Sequence, residues 1–135
     1  MNYREVKKIL FLTNNLDYTN GWGRYSLDLI GSLKERGIDS EVMSSNNSLP
    51  KPLSDKKNYL LFPFYALKIW RQFKDNPPDA IHALVETYGP LAMILAVLLG
   101  RPYYLTIHGS FGVKPMASWF RRPIQKLVYR RAKMV

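Results

Sequence analysis

The chain has 135 residues, with 20 lysines and arginines against 10 acidic residues, 47% hydrophobic residues and no cysteine. This length suits one domain, and the apolar share suffices for a core, which argues against a disordered or collagen-like chain. Without cysteine, structural disulfides, thiolate metal sites and cysteine catalysis are excluded. No signal-peptide pattern opens the sequence, and the longest apolar run, residues 91–99, is too short to span a bilayer. Neither a secreted nor a transmembrane protein is therefore expected.

The net charge of +10 is concentrated towards the end of the sequence. Residues 1–86 carry 12 basic and 10 acidic side chains, whereas residues 87–135 carry eight basic side chains and no acidic one. Such asymmetry favours an anionic partner for one face of the protein: a membrane surface, a nucleic acid or a phosphorylated ligand.

The first predicted elements are a strand and a helix. Residues 7–13 form a short apolar run that predicts a buried strand, and a loop follows over residues 14–22. Apolar residues then recur every four positions over residues 23–36. This spacing predicts an amphipathic helix, with Gly37 as its left-handed cap.

A second strand and a second helix follow in the middle of the chain. Residues 38–43 are expected to form the strand, and residues 44–57, rich in Ser, Asn, Pro and Lys, a loop. Pro63 suits the first turn of a second helix. Residues 76–78, which include two prolines, are expected to end this helix. A third strand is predicted over residues 79–84.

The last predicted elements repeat the alternation. They are a largely apolar helix over residues 87–99, a turn over residues 100–102, a strand over residues 103–107 and a helix over residues 119–134. Pro123 must lie near the start of this final helix or kink it.

Strands that alternate with helices predict an α/β fold, a Rossmann-like doubly wound parallel sheet. Ligands of such sheets bind beyond the carboxyl ends of the strands. Three segments are expected at that edge: residues 14–23, the region after His82, and residues 108–111.

Two glycines, Gly21 and Gly23, precede the first predicted helix and offer backbone N–H groups to an anion. They begin eight residues after the strand and lack a third glycine, and Ser44 and Ser45 stand where a ribose-binding acid would be expected. A dinucleotide site is therefore not favoured. The glycines alternatively serve only to permit a turn and a helix start.

Two histidines and two acids stand at or near the expected ligand edge. His108, followed by Gly109, ends the fourth strand and suits either a ligand contact or an ordinary loop histidine. His82 lies within the third strand and is expected to be packed. Asp17 and Glu86 are the only loop acids there, and no metal site or complete catalytic set is predicted.

Residues 114–135 combine seven basic residues with interleaved apolar ones. Arg121, Arg122, Lys126 and Arg130 in this segment suit a membrane surface at the level of the headgroups. The alternative is a helix that covers the sheet and has a solvated basic outer face. Specific nucleic-acid binding is not favoured, because no recognition motif accompanies the charge.

Four stretches in this order resemble the N-terminal, acceptor-side domain of a family 4 glycosyltransferase of GT-B fold. They are KKILFLTNN (7–15), NGWGRYSLDLIGSLKERGIDSEVM (20–43), PPDAIHAL (77–84) and RPYYLTIHGSF (101–111). The resemblance implies transfer of a sugar, of hexosyltransferase type, from a nucleotide-sugar co-substrate to a glycan or lipid-linked acceptor, with no further cofactor. It also implies a cytoplasmic location, peripheral at the inner membrane face.

The resemblance assigns roles to matching positions. The residues that would face the donor and its phosphates are Gly21, Gly23, His108 and Gly109. The residues that would border the acceptor pocket are His82, Glu86 and Asp17.

Two departures from the family pattern stand out. Residues 1–135 match one domain and stop where the family begins its next strand, so the donor domain with its E-x7-E motif is not among them. Gly-Trp-Gly at residues 21–23 also replaces the family's adjacent glycine pair. A truncated half that is inactive alone is therefore expected. The alternative is a non-catalytic Rossmann-like module that binds an anionic membrane or a partner subunit through its basic C-terminal segment.

Overall fold

The computed structural model describes residues 5–13, 16, 18–19, 21–44, 49, 56–107 and 121–133. Within these ranges the strands are β1 (Lys8–Thr13), β2 (Asp39–Ser44), β3 (Ala80–Ala83) and β4 (Tyr103–Leu105). The α-helices are α1 (Gly21–Glu35), α2 (Lys56–Phe73), α3 (Gly89–Leu99) and α4 (Arg121–Arg131). A short 3-10 helix, Glu86–Tyr88, leads directly into α3.

The four strands form one parallel sheet in the spatial order β2-β1-β3-β4. β1 is central, and its Phe11 is aligned with Val42 of β2 on one side and with His82 of β3 on the other. The chain runs from β1 out to β2, crosses back over β1 to β3, and a helix lies in each connection. The predicted α/β, Rossmann-like doubly wound parallel sheet is confirmed.

The main core lies on one face of this sheet, which we call the core face. Successive side chains of a strand point to opposite faces, so Leu10 and Leu12 of β1 share the core face with Ile81 and Ala83 of β3. They pack against buried side chains of α2, α3 and α4, which together we call the three-helix layer. Among the described residues, this core includes none from α1, which packs against β2.

The helices of the three-helix layer pack side by side, α2 against α3 and α3 against α4. α3 and α4 come close together at Gly89, where a Cβ atom would lie 2.8 Å from Cγ1 of the buried Val128. The absence of a side chain at residue 89 therefore allows α4 to pack onto the first turn of α3.

Helix α2 differs from its prediction, because it begins at Lys56 and contains Pro63 in its interior. The stripe Phe62, Ala66, Ile69 and Phe73 is buried on the core face and continues across the proline at helical spacing. Burial of this stripe offsets the one helix hydrogen bond that a proline cannot donate. The predicted loop over residues 44–57 therefore extends past the observed start of α2 at Lys56.

The predicted helix ends are otherwise close to those observed. Gly37 caps α1 with φ 81°, its N–H donates to the Lys34 carbonyl at 3.0 Å, and the Ile38 N–H donates to the Leu33 carbonyl. Gly100 ends α3 with φ 64° in the same way. Pro123 occupies the first turn of α4, as predicted. Among the described helices, none has the length and apolar character needed to cross a bilayer.

Candidate functional site

The candidate site lies at the carboxyl edge of the sheet. Because the strands are parallel, β1, β2 and β3 all end at this edge, and the terminal residues Thr13 and Ser44 are aligned and buried. The strand order reverses at β1, since the chain leaves β1 for β2 on one side and later returns to β3 on the other. The crevice between the ends of β1 and β3 is where sheets of this kind bind ligands.

The amino-terminal end of α1 contributes two of the predicted glycines. α1 begins at Gly21, so Gly21 and Gly23 lie in its first turn and not in a loop before it, which corrects the predicted helix start. A Cβ atom at Gly21 would meet nothing within 4 Å among the described residues, whereas Gly23 is buried. The first turn contains no acidic residue. Its N–H groups and the positive end of the helix dipole therefore favour an anion beside Gly21.

Glu86 follows β3 at the same edge. It begins the 3-10 helix, its backbone carbonyl accepts the Gly89 N–H, and its side chain is 1% exposed. The pKa of Tyr129 on α4 is raised, mainly by burial, and the Glu86 carboxylate raises it further. Glu86 and Tyr129 therefore lie close enough to interact, which connects the turn after β3 to α4.

Gln125 joins this polar cluster between the turn and α4. It is 0% exposed, and its Nε2 atom would lie 3.8 Å from a Cβ atom placed at Gly89. Its amide atoms form no hydrogen bond with the other described residues, as is also true of Glu86 Oε2, but Gln125 lies close enough to Tyr129 to oppose the rise in the pKa of the phenol. Sequence reasoning missed both residues, because it treated the last helix as a basic stripe. The sequence did contain a signal for an inward-facing side of this helix, since residues 125, 128 and 129 share one helix face.

His82 is packed within the sheet, as its position in β3 predicts. Its ring lies 5.6 Å from that of Phe11 and 6.2 Å from that of Tyr104, between centroids, on the face opposite the core face. Its Nε2 atom shares a hydrogen bond with Oγ1 of Thr106 at 2.8 Å. Burial lowers the pKa of His82 from 6.5 to about 4. The imidazole is therefore neutral at pH 7.

The remaining predicted site residues fall into two groups. Asp17, His108 and Gly109 lie outside the described residues, so their roles remain predictions. On α4, Arg122, Lys126 and Arg130 are exposed at four-residue intervals and form one stripe; the Arg121 side chain is outside the described part. Within the described ranges, no group of three or more metal-binding side chains comes together.

The comparisons with known proteins agree with this geometry. The model of the family described as Glycosyltransferase Family 4 matches residues 19–135. A search of curated proteins found no match. The four-stranded parallel sheet with helices on both faces is consistent with one half of a GT-B architecture. The chain therefore belongs to glycosyltransferase family 4, as an N-terminal domain of that family.

Proposed function

We propose that the chain is the acceptor-binding half of a glycosyltransferase that moves a sugar from a nucleotide-sugar donor to an acceptor. The observation that carries the proposal is the reversal of the strand order between β1 and β3, in a chain whose next element after β1 is α1 with its glycine-containing first turn. Membership of the family supplies the reaction class, and sheets of this kind bind ligands beyond the strand ends at such a reversal.

In this proposal, the first turn of α1 faces the donor phosphates. The nucleoside diphosphate gains negative charge as it leaves the sugar, and fixed N–H dipoles stabilise that charge without reorganisation. No described residue lies within 4 Å of a Cβ atom placed at Gly21, which suits a close approach of the phosphates to the backbone. His108 and Gly109, which follow β4 in the sequence, are expected to contact the donor sugar.

Glu86 is assigned a positioning role, because it is too deeply buried to contact an acceptor directly. Its carboxylate acts on Tyr129 of α4, and packing of α4 at Gly89 holds the turn that would border the acceptor pocket. His82, neutral and bonded to Thr106, stabilises the strand that leads into this turn. We expect no catalytic set to be complete in this chain alone, and a second, donor-binding domain to supply the rest.

The contact with donor phosphates is testable by NMR on the full chain. Titration with uridine, guanosine and adenosine diphosphates should shift the backbone amide signals of Gly21 and Gly23 for at least one of them. Gly21→Glu places a carboxylate where the phosphates would lie, and we expect it to weaken binding by about tenfold or more through like-charge repulsion.

Gly31→Glu is the matched control for this experiment. Gly31 lies on the same helix, is exposed and, like Gly21, has no described residue within 4 Å of an added Cβ. The control should bind as the wild type does, because residue 31 lies in the third turn, away from the amino-terminal end. Unchanged Gly21 and Gly23 signals with all three diphosphates, or equal affinity in the two variants, would contradict the proposed phosphate contact.

A further inference from the structure

A cavity open to solvent lies at the amino edge of the sheet, where α3 ends and β4 begins. We call it the amino-edge cavity; its volume is about 590 Å³. It is lined by α3, the turn over residues 100–102, the first residue of β4, and residues at and just after the end of α4. The candidate site lies at the opposite, carboxyl edge, and the 11 residues of α3 separate the two ends of that helix by about 16 Å. The two sites are therefore distinct.

The walls of the amino-edge cavity are mainly apolar. Met93, Ala96 and Val97 share one face of α3, because they are three or four residues apart. Val97 is 66% exposed, whereas Ala96 and Tyr103, which begins β4, are buried. A cavity of this size and lining accommodates the apolar part of a small molecule.

The charged side chains that line the cavity are all cationic. They are Arg101 in the turn, Arg131 at the end of α4, and Lys133 beyond it, and none of the described lining residues is acidic. Residues 87–135 contain no acidic residue at all. Asp79 precedes β3 at the same edge, but its carboxylate accepts two backbone N–H groups beside the start of β1, at 2.9 and 3.0 Å. That carboxylate is therefore engaged on the side of β3 away from β4.

The cations exceed what the neighbouring helix ends can balance. Both α3 and α4 end at the cavity, and the carboxyl end of a helix carries about half a negative charge. Two such ends offset about one of the three cations. About two positive charges are therefore left to face a ligand.

Backbone contacts hold these cations in place around the cavity. The Arg101 N–H donates to the Ala96 carbonyl and the Lys133 N–H donates to the Tyr103 carbonyl, both at 3.0 Å. Burial raises the pKa of Tyr103 to about 12, and the Arg131 guanidinium opposes this rise, so Arg131 lies near the tyrosine. Cations from separate parts of the chain are thus brought together before any ligand arrives, which lowers the cost of binding one.

We propose that the amino-edge cavity is a binding site for a small soluble organic anion with an aromatic or branched aliphatic body. The apolar body lies against the exposed face of α3, and the anionic group lies among Arg101, Arg131 and Lys133. Burial of the body removes apolar surface from water, and the cations attract the anionic group. The site does not depend on the proposed transferase function, because it shares no residue with the carboxyl edge of the sheet.

The test uses anilinonaphthalene sulfonate, an aromatic anion whose fluorescence rises when its rings leave water. We expect saturable binding to the full chain, weakened by high salt because exposed charges are screened. The uncharged analogue phenylnaphthylamine should bind about tenfold more weakly or worse. In NMR spectra with the sulfonate, the amide signals of Val97, Arg101 and Lys133 should shift, whereas those of Gly21 and Gly23 should not. The pattern of shifts separates this site from the proposed phosphate contact.

Two pairs of adjacent residues supply matched variants. Val97→Asp places a carboxylate in the cavity and should weaken binding of the sulfonate by about tenfold or more. Leu98→Asp makes the same kind of change at an exposed residue outside the lining and should not affect binding. Arg131→Glu should weaken binding by about fivefold or more, whereas Arg130→Glu changes the net charge equally outside the lining and should have a much smaller effect.

Three results would overturn the proposal. The first is an equal effect of the two variants within either pair. The second is equal affinity for the charged and uncharged probes, or NMR shifts confined to Gly21 and Gly23. The third is self-association of the chain that Val97→Asp abolishes, because a second copy would then fill the cavity.

Discussion

Acidification should destabilise the fold through His82, whose ring lies between those of Phe11 and Tyr104 and bonds to Thr106. Burial lowers the pKa of the folded imidazole to about 4, against 6.5 for an exposed histidine. Between these values the unfolded chain binds a proton that the folded protein does not. The stability that depends on neutral His82 is therefore complete above about pH 6.5 and is lost as the pH falls towards 4.

The two pKa values of His82 set the size of the effect. Each tenfold change in proton affinity is worth about 1.4 kcal/mol, so the full difference between 6.5 and about 4 amounts to about 3 kcal/mol. The linkage relation assigns about 2 kcal/mol of this loss to the interval between pH 7 and pH 5. That loss is a substantial part of the stability of a small domain.

Urea unfolding at several pH values would measure this loss in the wild type and in His82→Gln. Glutamine does not titrate and can still bond to Thr106, so the variant should lose about 2 kcal/mol less free energy of unfolding than the wild type between pH 7 and pH 5. His108→Gln, which alters the only other histidine, should retain the wild-type dependence. The reasoning would be refuted if the free energy of unfolding depended on pH identically in the wild type and in His82→Gln. It would also be refuted if His108→Gln lost the wild-type pH dependence.

Two further predictions concern packing between α3, β4 and α4. Gly89→Ala should lower the free energy of unfolding by about 1–3 kcal/mol, because the new Cβ would lie 2.8 Å from the stiff, buried Val128. Gly31→Ala on α1, where no described residue would lie within 4 Å of the new Cβ, should instead stabilise the protein by up to about 1 kcal/mol; urea unfolding that ranks the two alanines in the opposite order would contradict this packing. Tyr103→Phe should cost about 1 kcal/mol in the same assay, since it removes the hydroxyl that donates to the buried Val128 carbonyl. An unchanged urea unfolding midpoint would show that this hydrogen bond contributes nothing to the free energy of unfolding.

The parallel sheet was predictable because its strands are encoded locally. β1 is an apolar run between polar segments, and Gly37 and Gly100 mark the ends of α1 and α3 with the left-handed conformation that glycine favours. The alternation of strands and helices predicts parallel pairing with right-handed connections, but the spatial order β2-β1-β3-β4 is known only from the structure.

The start of α2 and the cluster at Glu86 depend instead on tertiary contacts. The interior position of Pro63 is stabilised by burial of the stripe from Phe62 to Phe73 against the core face, and no local rule reports that burial. Gln125 is separated from Gly89 by 36 residues and lies beside it only because α4 packs against the start of α3. Side chains with no distinctive local pattern are identified at such sites only when the packing is known.

The central position of β1 has a consequence for folding during synthesis. Leu10 pairs with Ile81, so β1 cannot acquire its second neighbour until about 70 further residues have been made. At the usual rate of translation this takes about 4–14 s. During that interval one edge of a strongly apolar strand has no partner strand, and the elements already made that can pack with it are β2 and, later, α2. The nascent chain is therefore most exposed to misassociation before β3 emerges, and chaperones would have their largest effect in that interval.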